Sequence, residues 1–508
     1  MKKTSIKKIV ICTFLIFIML SIVSCFGVKS QIKHHIGEKT ELVNPTIFKT
    51  YSGPIAIKGA SVLSTDCTKM LDSLTILIKD NKITEIGKDL NITDEYKIID
   101  ATGQYLIPGL TDTHAHLQGS KNDLLLYLAN GVTHISEMFG REDHLKWRKE
   151  AENGALSPKI YVASRKVGSQ KGIMRKIRSW FGSQHNYTTT RSARNAVSKY
   201  KKQGYDAIKI SSFLDADIYK VLIDEAKKQK TPTIGHLPYD VGLKKLYNSG
   251  QSQLAHIEEI TKSTMLDFGG LSSRNANEYL AYLKKNADDI AIKLKQNNIV
   301  VSSTVWIIES IPKQNFDIEN FLKNIKLEYQ NPGQIEGSKF AKGWLPGNNS
   351  YENMDIKNDP ELTKKHQLYW KAYVEAIYIM GQALVRNDVS IIAGTDSNTA
   401  GVVAGFSLHD ELESLKKIGM TNSQILHAAT VTPAQWMQSN GGKINVGYRA
   451  DLVLLEKNPL EEIKNTRTIN AVIANGKLID RTELNKMLLS IKNANNRSRK
   501  VSIDKFIN

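Results

Sequence analysis

Apolar and polar positions follow two different periods along this chain, and the change of period divides it. Residues 55–107 alternate in short β-branched runs (IAIKGASVL, SLTILIKDNKITEIG, YKIIDATGQYLIP), punctuated by Asp80-Asn81 and Asn91. Alternation interrupted by turn-forming residues predicts strands joined as hairpins. A second β-rich stretch lies near the other end, GKINVGYRADLVLLEKNP followed by INAVIANGKLI. The two stretches predict a small β-sandwich domain assembled from residues 55–105 and 441–485. Between them, residues 106–440 alternate apolar runs with amphipathic stretches. The predicted strands are Leu106–Asp112, Thr133–Met138, Ile160–Ala163, Ala207–Ser211, Pro232–His236, Gln253–His256, Ile299–Thr304 and Ser390–Thr395. Helices are expected over Thr190–Gln203 and Pro360–Val385, the latter with Leu368, Tyr369, Tyr373, Ala376, Ile377, Met380 and Leu384 along one stripe. Eight strands alternating with helices predict an α/β class chain built on a (β/α)8 TIM-like barrel.

The two ends change the picture. Residues 1–8 hold four lysines, and Ile9–Leu20 is an apolar run too short to span a bilayer but suited to the core of a signal peptide. It closes on Ile22-Val23-Ser24-Cys25, which resembles a bacterial lipobox. The expectation is a signal peptide over 1–24, lipidation at Cys25, a tether over 25–54, and a chain exported and lipid-anchored to the cell envelope. Residues 486–508 are expected as a C-terminal tail. Of three cysteines, Cys12 falls in the signal and Cys25 at the lipid site, which leaves Cys67 alone and excludes both a disulfide scaffold and a thiolate metal site. The formal charge of +18 falls to +14 without the signal's lysines. The lysines are scattered and no nucleic-acid module is visible, so attraction to anionic headgroups is expected rather than nucleic-acid binding. An insertion over 168–187 places Ile173, Met174, Ile177, Trp180 and Phe181 on one helical face, as an interfacial helix, a lid, or a helix packed on the body.

Candidate chemistry gathers at the predicted strand ends. His114 and His116, in PGLTDTHAHL, are two residues apart and so share a side of an extended strand. Lys209, between Ile208 and Ile210, turns inward where an unpaired ammonium is costly. It then needs either a buried carboxylate partner or conversion of its neutral amine by carbon dioxide to an anionic carbamate. His236, His256 and Asp396 each close a short apolar strand. Each alone is equally well a hydrogen-bonded core residue or a cap. As an ordered set, His114, His116, Lys209, His236, His256 and Asp396 stand at the C-terminal ends of strands, the face on which barrel active sites form.

PGLTDTHAHL, the Lys209 strand, AGTDSN and the closing QILHAATVTPAQWMQ…GKINVGYRADLVLLEKNPLEEI together resemble the amidohydrolase superfamily, in its imidazolonepropionase-like and prolidase-like branch. The resemblance covers nearly all of residues 55–480. It implies a hydrolase acting on amide C–N bonds with two divalent metal ions, zinc foremost, in a set of nitrogen and oxygen ligands. His114, His116 and Asp396 would hold one ion, His236 and His256 the other, with carboxylated Lys209 bridging. A metal-activated hydroxide would attack the carbonyl, with Asp396 as general base and acid. A single-metal site with Lys209 only structural stays open. The implied substrate is a dipeptide or similar small amide, with Tyr239 at a position resembling a carboxylate contact. Arg165, Trp306 and His409 are near the mouth by topology. Ala255 and Glu258-Glu259 flank His256 where many relatives carry glutamate before it. The rival readings are a cyclic-amide hydrolase of the imidazolonepropionase kind and a non-enzymatic binding lipoprotein.

Overall fold

The computed structural model describes residues 27–172 and 184–507. Both ends of the chain meet in one eight-stranded sheet. Its strands are Ile55–Leu63, Met70–Lys79, Lys82–Gly87, Lys97–Asp100 and Tyr105–Pro108 from the first part, with Leu452–Leu455, Ile469–Ala474 and Lys477–Asp480 from the last. The turn between the second and third strands holds Asp80 and Asn81 at φ 52° and 63°, the left-handed pair that matches the twist of a hairpin. Tyr105–Pro108 pairs antiparallel with Leu452–Leu455, with Leu106 opposite Leu454. The unbroken apolar run LVLL is needed there because the sheet is buried on both faces. Leu106, Leu452 and Leu454 enter a core within the β-domain, whereas Ile107, Val453 and Leu455 enter the main core of the α/β body.

Pro108 and Gly109 split the first predicted strand. Tyr105–Pro108 belongs to the β-domain, and the α/β body opens with Leu110–Ala115. A side chain on Gly109 would overlap Thr133, so the crossing point requires glycine. Leu110–Ala115, Val132–Glu137 and Lys159–Val162 form a parallel three-stranded sheet. Ile208–Ile210, Thr233–Gly235, Gln253–Ala255, Val300–Ser302 and Ile391–Ile392 run parallel in a second sheet, with Val167–Gly168 and His185–Asn186 at its edge. The two sheets join at both seams. Ala163 bridges Ala207 in parallel, while Thr113 N–H donates to the Ala393 carbonyl (2.9 Å) and Asp396 N–H to that of His114 (2.8 Å). Helices Thr190–Gln203 and Pro360–Arg386 lie where their periodicity predicts, although Leu368 of the proposed stripe is exposed.

Two segments differ from expectation. The tether expected over 25–54 is packed along its described residues: 27–35 are helical, Pro45–Ile47 form a 3-10 turn, and Tyr51 exchanges backbone hydrogen bonds with Leu478. The tail expected over 486–508 is largely the helix Arg481–Ser498. Its N-terminus is capped by Asp480, and its Leu484, Met487 and Ile491 recur at helical spacing into the main core. Both misreadings come from weighing polar composition over periodicity. Ile173, Met174, Ile177, Trp180 and Phe181 of the insertion lie outside the described residues. Among the described residues, no helix is long and apolar enough to cross a membrane.

Candidate metal centre

His114 lies inside the strand Leu110–Ala115 and is buried, and His116 follows that strand's end. Lys209 is the middle residue of Ile208–Ile210, fully buried, with its isoleucine neighbours in the core. His236 and His256 come one residue after Thr233–Gly235 and Gln253–Ala255, and Asp396 follows Ile391–Ile392 by a short turn. Parallel strands in register bring all six to one end of the body.

The side chains converge. Ligand atoms of His114, His256 and Asp396 lie within 4.8 Å of one another. The His114 ring is centred 4.5 Å from that of His256 and 5.2 Å from that of His116, and the His236 ring 5.3 Å from that of His256. Asp396 Oδ1 is 2.9 Å from His116 Nε2 and 3.5 Å from His114 Nε2. Lys209 Nζ stands 3.4 Å from His114 Nε2, and no carboxylate pairs with it among the described residues. Of the two escapes open to a buried lysine, the carboxylate partner is therefore missing.

Electrostatics prepare these groups as ligands. Burial drives His114, His236 and His256 well below the usual imidazole range, reinforced by Lys209 at His114, by Lys166 and Lys209 at His236, and by the neighbouring imidazole and amine at His256. Burial and the charge of Lys166 lower Lys209 to about 7. Burial alone would raise Asp396, but the hydrogen bond and charge of His116 hold it well below the carboxylate range. The constellation is three neutral imidazoles, an amine near neutrality and an ionised carboxylate.

A surrounding layer not read from the sequence fixes the orientation. Asp112, fully buried, accepts from the backbone N–H groups of His114 and Thr395 (3.1 Å each) and from the Thr395 hydroxyl (2.6 Å), tying the first strand to the Asp396 turn. Glu137 accepts from the N–H groups of Leu117 and Phe139 and stands 4.0 Å from His116 Nδ1. Glu259 is 3.2 Å from His236 Nδ1, so of the acidic pair after His256 it serves the neighbouring histidine, whereas Glu258 pairs with Lys262 and Tyr373. His256 Nδ1 pairs with the Thr304 hydroxyl at 2.7 Å. Such partners fix which ring nitrogen faces inward. Two glycines make room. A Cβ on Gly235 would sit 2.8 Å from Lys209 Cδ, and one on Gly394 2.8 Å from His114 Cβ. His256, Thr304 and Asp396 adopt left-handed φ of 68°, 51° and 61°, strain that persists where a site over-determines the backbone. Asp112 two residues before His114, and Glu259 three after His256, were the signals available in the sequence.

The other predicted contacts separate. Arg165 lines a cleft of about 640 Å³ that opens onto His116 and Asp396, with Phe139, Arg141 and Lys166 beside it. Tyr239 is half exposed, edge-on to Phe213, and is not among the described residues lining that cleft. Trp306 lies in another depression beside Glu413 and Lys417, stacked under Lys313. His409 is buried away from the site, between the Thr466 hydroxyl and the Asn130 carbonyl. For Trp306 and His409, position after a strand did not fix direction, since both begin or enter helices that turn them into the packing layer.

Comparison with known proteins adds to this geometry. The sequence profile of the Amidohydrolase family matches residues 362–479, the stretch that contains Asp396 and the last three β-domain strands' pairing segment. The 5'-deoxyadenosine deaminase of Methanosphaera stadtmanae is 25% identical over 447 residues, covering 84% of this chain and 93% of that protein. Among solved structures, a bottromycin amidohydrolase superposes with a TM-score of 0.69 at 18% identity, covering 91% of this chain and 96% of that one. A Xaa-Pro dipeptidase with methionine bound in its active site superposes with a TM-score of 0.59 at 16% identity, covering 84% and 100%. These likenesses support the amidohydrolase superfamily and indicate a hydrolase acting on C–N bonds.

Proposed function

We propose that this chain is an exported, lipid-anchored member of the amidohydrolase superfamily that hydrolyses an amide C–N bond in a small substrate, dipeptides foremost, with one or two divalent metal ions. The observation that carries the reading is the convergence of His114, His256 and Asp396 within 4.8 Å, with Lys209, His116 and His236 around them. The parallel strands, joined at both seams, support a (β/α)8 barrel beneath the site, with the eight-stranded sheet as its β-sandwich companion.

The residues fit a metal. The donors are nitrogen and oxygen without thiolate, a set suited to zinc. His114 Nδ1 is buried with no hydrogen-bond partner among the described residues. Cys67 is buried among other residues, and burial pushes its thiol up to about 11, so it is no competing ligand. Bound divalent ions supply Lewis acidity and lower the pKa of water at such a site. His114, His116, His236, His256 and Asp396 would hold them. Lys209 joins when its neutral amine adds to carbon dioxide, forming an N–C bond and releasing a proton to leave an anionic carbamate. Asp396, kept ionised by His116, takes a proton from the attacking water and returns it to the leaving nitrogen as the C–N bond breaks.

The likeness to a 5'-deoxyadenosine deaminase favours a second reading, hydrolytic removal of an amino group from a nucleoside, and a cyclic-amide hydrolase uses the same machinery. The complete set of six ligands speaks against a purely binding lipoprotein. The test is elemental analysis of protein grown with zinc and bicarbonate, followed by a screen of Xaa-Pro dipeptides, cyclic amides and 5'-deoxyadenosine. About two metals per chain, falling by roughly half or more in Lys209→Ala, supports the bridged site. One metal indifferent to Lys209 selects the mononuclear reading, and no metal sinks the hydrolase.

A further inference from the structure

The stretch read as a loose tether is seated on the mouth of the metal cleft. Residues 27–35 form a helix whose Lys29, Ile32 and Lys33 line the same cleft as His116 and Asp396. The following residues are held at successive points by the body. His34 pairs with Glu336 at 2.7 Å, and the Ile36 carbonyl accepts from Gly119 N–H at 2.8 Å. Glu38 pairs with Arg141, Thr40 Oγ1 accepts from Asn331 Nδ2 (3.0 Å), and Asn122 both accepts from Val43 N–H and donates to the Glu41 carbonyl.

The body is shaped to receive this strap. A Cβ on Gly333 would overlap the His34 carbonyl, and one on Gly119 would lie 2.6 Å from Glu38 Cγ and 3.0 Å from the Ile36 carbonyl. On the strap, Gly37 takes φ 91° against Asn331, where any side chain would overlap the amide. A segment lying loosely would need none of these glycines. With the strap in place, the described lining of the cleft carries five cationic side chains, Lys29, Lys33, Arg141, Arg165 and Lys166, against two carboxylates, Glu38 and Asp396. The charge of Lys166 is felt at Lys209, His236 and Asp396.

We infer that residues 27–43 are a built-in wall of the active site, and that the cleft they close selects small substrates bearing negative charge. The selection rests on the metal-dependent hydrolase reading. A neutral nucleoside gains nothing from such a field, whereas an amide with a carboxylate end is drawn toward the metal ligands and oriented by it.

Two chelators test both halves on the zinc-loaded full-length chain without any assumed substrate. Dipicolinate is dianionic and 1,10-phenanthroline neutral, and both must enter the cleft to extract zinc. Gly333→Ala, which removes the seat of His34 without touching a ligand, is expected to speed extraction by both about tenfold. Lys29→Glu with Lys33→Glu is expected to slow dipicolinate about tenfold while leaving phenanthroline unchanged. Equal rates in wild type and Gly333→Ala overturn the wall, and equal effects of the double reversal on both chelators overturn the charge selection. Hydrogen exchange reads the seat independently of metal. Slow exchange at the Ile36 and Glu38 amides, lost in Gly333→Ala, is expected, and fast exchange in wild type overturns the strap. A chain that binds no zinc yet protects those amides overturns the hydrolase reading and keeps the strap.

Discussion

Lys209, proposed here as a ligand, destabilises the fold that carries it. Burial lowers its ammonium from 10.5 to about 7, so the cation is disfavoured inside. Below pH 7 both folded and unfolded chains carry the proton, and the folded one bears the full cost of a buried charge. Between 7 and 10.5 the unfolded chain binds the extra proton, so stability rises with pH across that window. Metal-free Lys209→Met is therefore expected to melt above metal-free wild type, with the largest gap at pH 7 and below and a gap that closes toward pH 10. Melting curves from pH 6 to 10 check this, and a gap independent of pH would show that Lys209 is held in another state. The proposed ligands themselves were legible because histidine, lysine and aspartate at strand ends are chemically conspicuous. The roles of Asp112, Glu137 and Glu259 were not, since the Asp396 turn, His116 and His236 that they stand against lie elsewhere in the chain and only the fold brings them together.

At the scale of elements, the site depends on how closely adjacent strands approach. Lys209 faces Ile234 in the ladder, and Gly235, opposite Ile210, leaves the space its side chain fills. Gly235→Ala adds a Cβ 2.8 Å from both Lys209 Cδ and the Ile210 carbonyl, at a φ of 115° that alanine resists. The expected cost is about 2–4 kcal/mol, from strain and overpacking together, with loss of metal. Gly419→Ala supplies the control. Its φ of 91° is strained, but nothing among the described residues lies within 4 Å of the added carbon, so it should cost about 1 kcal/mol and keep the metal. Denaturant titrations and metal analysis of the pair separate backbone strain from crowding of the lysine. The eight strands and the helices Thr190–Gln203 and Pro360–Arg386 were readable from periodicity, whereas Arg481–Ser498 reads in part as a tail. The break in the first strand carried a local signal in Pro108-Gly109, but that the crossing needs glycine follows only from the fold, which brings Thr133 against position 109.

For the whole molecule, the N-terminal segment joins the question of location to that of access. Cys25 precedes residue 27 by two residues, a span of at most about 7 Å, and the helix that follows lines the cleft mouth. A lipid on Cys25 would thus hold the mouth close to the headgroups, where the formal charge of +14 left without the signal's four lysines favours anionic lipid. Sequence composition made residues 26–50 look like a spacer because they are polar and lack a core, but their partners, Asn122, Glu336 and Asn331, are scattered through the chain. Under the proposed anchor, Cys25→Ala is expected to move the protein from the detergent phase to the aqueous phase on phase separation. Zinc content and strap protection should stay unchanged, because the strap's seat begins at residue 27 and does not involve the thiol. Loss of strap protection in that variant would mean that the membrane, rather than Gly333 and its neighbours, holds the wall in place.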